Sequence, residues 1–233
     1  MSRQLLLEII PAQGPTLEAT VTGANAPAVA AVAGLERGRA LYLWGPPGSG
    51  RSHLLRAIAG ARPTLLLGAG TSASAMMALA TNPTLEKAAE VIAVDDIQDL
   101  DDPQQAAVFA LYNRWRELAS TTSAFAIVVT GDRAPLSMSL REDLRTRLGW
   151  DLVFRLEPLS DADKSEALVT YAKQQGLPLS SEVLEWMLTH YSRDIRQLFA
   201  LIDALDRYSL SKHRTITVPL VRMMLADRDF LQS

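Results

Sequence analysis

Residues 40–56 have the sequence ALYLWGPPGSGRSHLLR, which joins an apolar run, a glycine-rich loop and an amphipathic pattern. The run from Ala40 to Trp44 is compact and apolar, as a buried strand is. The segment that begins at His53 carries apolar residues at helical spacing. This stretch therefore predicts a strand, a tight loop and a helix in that order, the start of an α/β fold.

The loop has the spacing G-x-x-x-x-G-K-[ST] of a phosphate-binding loop. Gly48 and Gly50 allow backbone N–H groups to turn inward around phosphate oxygens, and the helix N-terminus adds its positive end. Ser52 offers a hydroxyl to Mg²⁺. We therefore predict binding of ADP or ATP with Mg²⁺; a glycine-rich turn without a ligand is the alternative. The predicted nucleotide contacts in this segment are Pro47, Gly48, Ser49, Gly50, Arg51, Ser52 and His53.

Arg51 stands where this motif has lysine. A planar guanidinium does not replace a compact ammonium against the β- and γ-phosphates without a change of geometry. We therefore expect nucleotide binding to be kept and the chain's own ATP hydrolysis to be weak or absent. The alternative is a tolerated substitution with ordinary ATPase activity.

The chain up to Pro158 alternates between apolar runs and helical patterns. Runs typical of strands lie at 64–67, 91–94, 125–130 and 152–156, and one helical pattern between them lies at 104–118. This alternation predicts a parallel αβα sandwich.

The pattern changes after Pro158, where no run is typical of a strand. Amphipathic helices are predicted at about 160–175, 180–191, 194–210 and 218–226, with Ser180 and Ser192 as candidate N-caps. We therefore expect an N-terminal peptide and linker (1–24), an αβα nucleotide-binding domain (25–158) and a small all-helical domain (159–233).

Carboxylates and a hydroxyl follow two of the predicted strands. Asp95 and Asp96 come directly after the run at 91–94. Asp95 is placed to hold Mg²⁺ through water, and Asp96 to orient an attacking water. An acidic loop that only solvates a helix start is the alternative. Thr130 ends another run and would lie beside the γ-phosphate if its strand neighbours the strand before the phosphate loop.

Composition excludes several classes of function. The 233 residues include no cysteine, which excludes disulfide frameworks, thiolate metal sites and a cysteine nucleophile. The net charge is −3 without a block of basic residues, which argues against strong direct nucleic-acid binding. No signal peptide or membrane span is expected, so a cytoplasmic location is predicted. The scattered histidines show no metal-binding spacing.

Several motifs in order resemble the AAA+ ATPases, specifically the family of the replication initiator DnaA. The matching segments are Thr22-Gly23-Ala24-Asn25, the phosphate loop (Walker A), residues 91–98 (Walker B), Thr130-Gly131-Asp132-Arg133 (sensor 1), residues 144–150 (box VII) and residues 192–198 (sensor 2). The resemblance implies nucleotide contacts at Asn25, Thr130 and Arg196. It also implies that Arg147 is an arginine finger, which acts on nucleotide bound by a partner.

The chain ends soon after the predicted helical domain, without the initiator's DNA-reading domain, so it resembles the shorter Hda branch, the regulatory inactivators of DnaA. The segment Gln4-Leu5-Leu6-Leu7-Glu8-Ile9 is similar to the Q-L-x-L-x-L peptide that binds the β subunit of the DNA polymerase III sliding clamp. Its predicted clamp contacts are Gln4, Leu5, Leu7 and Ile9. An edge strand packed on the chain's own domain is the alternative for this segment.

The resemblance implies that the chain, with the DNA-loaded clamp, stimulates hydrolysis of DnaA-bound ATP through Arg147. ADP in its own site would be a structural ligand. Two alternatives stay open: a self-hydrolysing ATPase that loads or remodels a partner, and a clamp adaptor that needs no nucleotide. Homodimer formation also stays open. Both arginines also have a structural alternative. Arg147 would be a surface cation near Glu142 and Asp143, and Arg196 would be a solvated residue beside an apolar stripe.

Overall fold

The computed structural model describes residues 16, 17, 20–82, 89–177, 179–192 and 194–227. The clamp-peptide prediction at 4–9 lies outside the described residues. The described chain divides into two compact units, one that ends at Pro158 and one that begins at Leu159.

The first unit contains one parallel sheet covered by helices, as predicted. Its strands are β1 (Ala40–Trp44), β2 (Thr64–Leu67), β3 (Val91–Val94), β4 (Ala126–Gly131) and β5 (Leu152–Arg155). Its helices are α1 (Ala26–Ala33), α2 (Arg51–Ala61), α3 (Ala73–Thr81), α4 (Asp102–Leu118) and α5 (Glu142–Arg147). The strand order is β2-β3-β4-β1-β5, and every pairing is parallel.

The inner strands are apolar on both faces because helices cover both sides of the sheet. All residues of β3 and β4 are buried. One apolar cluster joins the sheet to α3 and α4, and another joins it to α1 and α2.

The order of the strands brings the site residues together. β1 lies next to β4, with Leu43 in register with Thr130 and Trp44 with Gly131. β3 lies on the other side of β4, with Val94 opposite Val129. Because parallel strands end at the same edge of a sheet, the phosphate loop after β1, the acids after β3 and Thr130 meet at this edge.

The second unit consists of helices around an apolar core of its own. They are α6 (Asp161–Gln174), α7 (Ser181–His190), α8 (Ile195–Lys212) and α9 (Val218–Ala226). Ser180 caps α7, as predicted. Ser192 does not cap α8: Asp194 does, by accepting from the Arg196 N–H, and the Ser192 hydroxyl accepts from the Asp194 N–H instead. Within the described residues of both units, no helix is both long and apolar enough to span a membrane.

Candidate nucleotide site

The loop between β1 and α2 has the backbone form of a phosphate cradle. Gly48 and Gly50 have φ values of 81° and 97°, in the left-handed region that favours glycine. A Cβ at either position would meet no atom within 4 Å, so both face open space. At Gly45 a Cβ would collide with the carbonyl oxygen of Leu156. The loop is therefore packed tightly at its base and open around the residues that would turn N–H groups toward phosphate.

Two buried polar atoms at this loop have no hydrogen-bond partner among the described residues. They are Ser49 Oγ and Arg51 Nη1. Buried polar groups in folded proteins are nearly always hydrogen-bonded, so both atoms are suited to a polar ligand or ordered water at the loop. Both atoms can donate to phosphate oxygens. The residues present therefore fit the phosphates of a nucleotide.

Ser52, Asp95 and Thr130 form one hydrogen-bonded network. The hydroxyls of Ser52 and Thr130 both donate to Asp95 Oδ1, over 3.1 and 2.8 Å. The Asp96 N–H donates to the Thr130 hydroxyl oxygen over 2.8 Å, and Thr130 is fully buried. Phosphate-loop proteins hold Mg²⁺ with this pairing of a loop hydroxyl and a strand-end carboxylate.

The donor set fits a cation shared with phosphates better than a site made by protein alone. No group of three or more His, Cys, Asp or Glu residues able to hold a metal occurs among the described residues. Mg²⁺ is commonly bound by one or two carboxylates together with substrate phosphates and water. Ser52 and Asp95 are therefore the residues that would hold Mg²⁺ next to a bound nucleotide.

Arg51 reaches the second acid of the site. Its Nη2 lies 3.0 Å from Asp96 Oδ1, and the Arg51 side chain is 11% exposed. Asp96 has a left-handed backbone with φ 50° and ψ 63°, which is uncommon for a residue with a side chain. The sequence motif predicted a contact of Arg51 with phosphate, whereas the structure shows one end of the guanidinium on a carboxylate.

Two further predicted nucleotide contacts have partners within the first unit. The Asn25 amide donates to the carbonyl oxygen of Glu157 and accepts from its N–H, both at 2.8 Å. The ring nitrogen Nε2 of His53 lies 3.1 Å from the Thr20 hydroxyl oxygen. The Asn25 side chain thus ties the start of α1 to the end of β5, and a nucleotide contact by Asn25 would fall to its backbone.

The guanidinium of Arg147 lies against two aromatic rings. It is 3.9 Å from the ring centre of Trp150 and 4.7 Å from that of Phe109, and its Nη2 donates to Asn113 Oδ1 over 3.0 Å. It makes no ion pair within the described part of the chain. The surface pairing with neighbouring acids is therefore wrong, because Asp143 pairs with Arg141 instead. Sequence reasoning missed Phe109 and Asn113, since both lie on α4 and no local pattern links them to Arg147.

Arg196, in the second unit, forms an ion pair with Asp194, the residue that caps its own helix. Its Nη2 lies 2.8 Å from Asp194 Oδ2, and its side chain is 60% exposed. The hydrogen bonds to Asp194 hold the pKa of Arg196 above its ordinary value, so the residue carries its full charge. The predicted nucleotide contact of Arg196 stays a prediction.

Comparisons with known proteins place the chain in a family. A family model described as the lid domain of Hda matches residues 161–225. A protein of Haemophilus influenzae, described as uncharacterized, is 32% identical over 190 residues, which cover 79% of this chain and 80% of that protein. The chain belongs to the DnaA/Hda-like AAA+ family.

Solved structures share the fold of this DnaA/Hda-like chain. Domain III of the Thermotoga maritima replication initiation protein DnaA is 20% identical with a TM-score of 0.65, over 97% of this chain and 99% of that domain. The AMPPCP-bound DnaA from Aquifex aeolicus is 21% identical with a TM-score of 0.62, over 85% of this chain and 66% of its own. The DnaA/Hda-like chain therefore has the AAA+ fold that its sequence motifs predict.

Proposed function

We propose that this DnaA/Hda-like chain regulates replication initiation by stimulating the hydrolysis of ATP held by the initiator DnaA. The arrangement of Arg147 carries the proposal. Its guanidinium is oriented by Phe109, Asn113 and Trp150 and is not neutralised by a carboxylate of the described chain. A charged and pre-oriented guanidinium is what an arginine finger supplied in trans requires.

The finger acts on the partner's phosphates. As hydrolysis proceeds, negative charge spreads over the oxygens of the transferred phosphoryl group, and an arginine from a second protein stabilises that charge. Such a finger raises the rate by about 10³ to 10⁵. Arg147 Nε is buried without a hydrogen-bond partner among the described residues, so the guanidinium keeps an unused donor.

The chain's own nucleotide site has a structural role in the proposal. Bound ADP with Mg²⁺ supplies the anionic groups that complete the site. The backbone around Gly48 and Gly50 binds the phosphates, and Ser52 and Asp95 hold the cation. Buried donors that lack partners in the described chain support this role.

The sliding clamp brings the chain to its partner. Gln4, Leu5, Leu7 and Ile9 have the pattern of a clamp-binding peptide. An extended peptide of this kind places a polar side chain and alternate apolar ones in pockets of its partner. Tethering to a DNA-loaded clamp then raises the effective concentration of Arg147 near DnaA on the same DNA.

The direct test measures ATP hydrolysis by ATP-loaded DnaA with DNA-loaded clamp present throughout. We expect the wild-type chain to stimulate this hydrolysis. The Arg147→Ala variant should stimulate it at least about 10²-fold less, since a finger contributes about 10³ or more. Arg145→Ala is the matched control, because Arg145 carries the same charge and lies in the last turn of the same helix.

Two results would contradict the proposal. One is wild-type protein that binds both nucleotide and clamp but leaves DnaA hydrolysis unchanged. The other is equal loss of stimulation in the Arg145 and Arg147 variants, which would indicate a general loss of basic charge rather than a finger.

A further inference from the structure

The pair formed by Arg51 and Asp96 joins the phosphate loop to the residue expected to orient an attacking water. The two side chains are 11% and 32% exposed, with 3.0 Å between Nη2 and Oδ1. Asp96 Oδ1 has no hydrogen bond among the described residues, so this ion pair is its main polar contact. Partial burial strengthens such a pair relative to one in open water.

The backbone of Asp96 is held independently of the ion pair. Its N–H donates to the Thr130 hydroxyl oxygen over 2.8 Å, and its carbonyl oxygen accepts from the Asp99 N–H over 2.9 Å. Its left-handed conformation is fixed between these two contacts. The direction in which the carboxylate points is therefore decided by its side-chain partner.

A guanidinium can occupy this carboxylate and still face a phosphate. Nη2 of Arg51 is on Asp96, while the buried Nη1 has no partner in the described chain. A lysine ammonium is a single point charge on a flexible stem, and phosphates would compete with Asp96 for it. Arg51 can thus bind the Asp96 carboxylate through one nitrogen and a phosphate through the other, which a single ammonium cannot do at once.

We propose that Arg51 is a positioning residue that withholds Asp96 from water, so that a nucleoside triphosphate bound in this site is retained and not hydrolysed. The inference rests on the nucleotide binding in the proposed function. It adds that this chain's own site is kept inactive by a contact built into the fold.

The step that Arg51 prevents is ordinary hydrolysis of the γ-phosphoryl group. The oxygen of water bonds to the γ-phosphorus, the bond from that phosphorus to the β,γ-bridging oxygen breaks, and the diphosphate leaves. The proton released by water passes to the Asp96 carboxylate and then to solvent. A carboxylate held by the Arg51 guanidinium, 3.0 Å away, is not oriented toward the attacking water.

The experiment compares full-length wild type, Arg51→Lys, Asp96→Asn and the double variant. Single-turnover hydrolysis is followed with γ-phosphate-labelled ATP and Mg²⁺, and ATP affinity is measured separately. We expect Arg51→Lys to raise the hydrolysis rate at least 10-fold, and the double variant to return to the wild-type rate. Arg56→Lys, an exposed position on α2, is the control and should leave the rate unchanged.

A second readout needs no nucleotide. Urea unfolding of nucleotide-free wild type, Arg51→Met, Asp96→Asn and Arg51→Met/Asp96→Asn tests whether the pair exists, because removing both charges of an interacting pair gives non-additive effects in a double-mutant cycle. We expect the double variant to shift the unfolding midpoint by less than the sum of the two single shifts.

Each remaining outcome overturns the inference. Arg51→Lys that binds ATP and unfolds cooperatively, yet hydrolyses no faster than wild type, would exclude the positioning role and leave the proposed function standing. Additive shifts in urea would exclude the ion pair. Wild type that binds no nucleotide would overturn both the inference and the structural role of ADP, whereas stimulation of DnaA could still be measured.

Discussion

Thr130 is the residue on which the candidate site converges. Its hydroxyl accepts from the Asp96 N–H and donates to the Asp95 carboxylate, and its side chain is fully buried. One hydroxyl therefore sets the positions of both acids. Its role could be anticipated from its place at a strand end, but only for a sheet in which β4 lies beside β1.

Replacing Thr130 with valine should therefore destabilise the fold and weaken nucleotide binding. The substitution keeps the shape of the side chain but removes the partner of the part-buried Asp96 N–H, which costs about 1–3 kcal/mol. Thr130→Ser keeps the hydroxyl and should lose less stability than the valine variant. Urea unfolding and ATP titration of both variants provide the check. A valine variant as stable as wild type would show that this hydroxyl does not organise the site.

At the scale of elements, β5 is an edge strand held to the sheet through β1. It pairs with β1 from Leu41↔Leu152 to Trp44↔Arg155. A bidentate ion pair stabilises the start of this pairing: the Arg39 guanidinium donates to both carboxylate oxygens of Asp151 over 2.8 and 2.7 Å. The Ala40 N–H donates to the same carboxylate over 2.9 Å. These bonds hold the pKa of Asp151 below its ordinary value, with the Arg39 hydrogen bonds the largest cause.

Asp151→Asn should reduce the free energy of unfolding at pH 7 by about 1 kcal/mol, a low value because the Arg39 side chain is 44% exposed and screened by solvent. A lowered carboxyl pKa stabilises the fold above the unfolded-state value of about 3.9, and this stability is lost as the pH falls through the lower folded-state pKa. Urea unfolding should thus show a difference at pH 7 that shrinks toward pH 2–3. An equal difference at both pH values would contradict the charge-based account.

At the scale of the whole molecule, the proposed function separates recruitment from chemistry. The residues proposed to bind the clamp belong to the first ten positions, whereas Arg147 lies at the end of α5. A tether acts through effective concentration, and a finger acts on the rate of the chemical step. The two contributions should therefore respond differently to the amount of protein added.

Gln4→Ala should abolish retention on the clamp and leave nucleotide binding intact. Raising the concentration of this variant should restore part of the stimulation of DnaA, because the lost effective concentration is replaced from solution. The same increase should not rescue Arg147→Ala. Clamp pull-down and a concentration series of DnaA hydrolysis make the comparison. Clamp binding that persists in Gln4→Ala would refute the assignment of the peptide.

Local patterns predict the five strands, α4 and the four helices of the second unit, whereas α3 and α5 are not among the predicted elements. The strands are predicted because each is a short, nearly continuous apolar run. Three contacts of the site join residues far apart in sequence and could not be predicted. They are the ion pair of Arg51 with Asp96, the hydrogen bonds of Asn25 with Glu157 and the contact of Arg147 with α4. The N-cap of α8 was also not fixed by the local pattern. Ser192 and Asp194 are both residue types that cap helices, and the sequence alone does not decide between them.

The order of the strands also has a consequence for synthesis on the ribosome. β1 lies between β4 and β5. Ala40 therefore cannot pair until Ile127 has been synthesised, nor Leu41 with β5 until Leu152 has been. At about 5–20 residues per second, the 81 residues between Trp44 at the end of β1 and Ala126 at the start of β4 take about 4–16 s to translate. Throughout that interval the nascent chain carries an apolar strand without either neighbour. Chaperone binding to the nascent chain should therefore be strongest before β4 emerges, and the phosphate loop acquires its surroundings only late in translation.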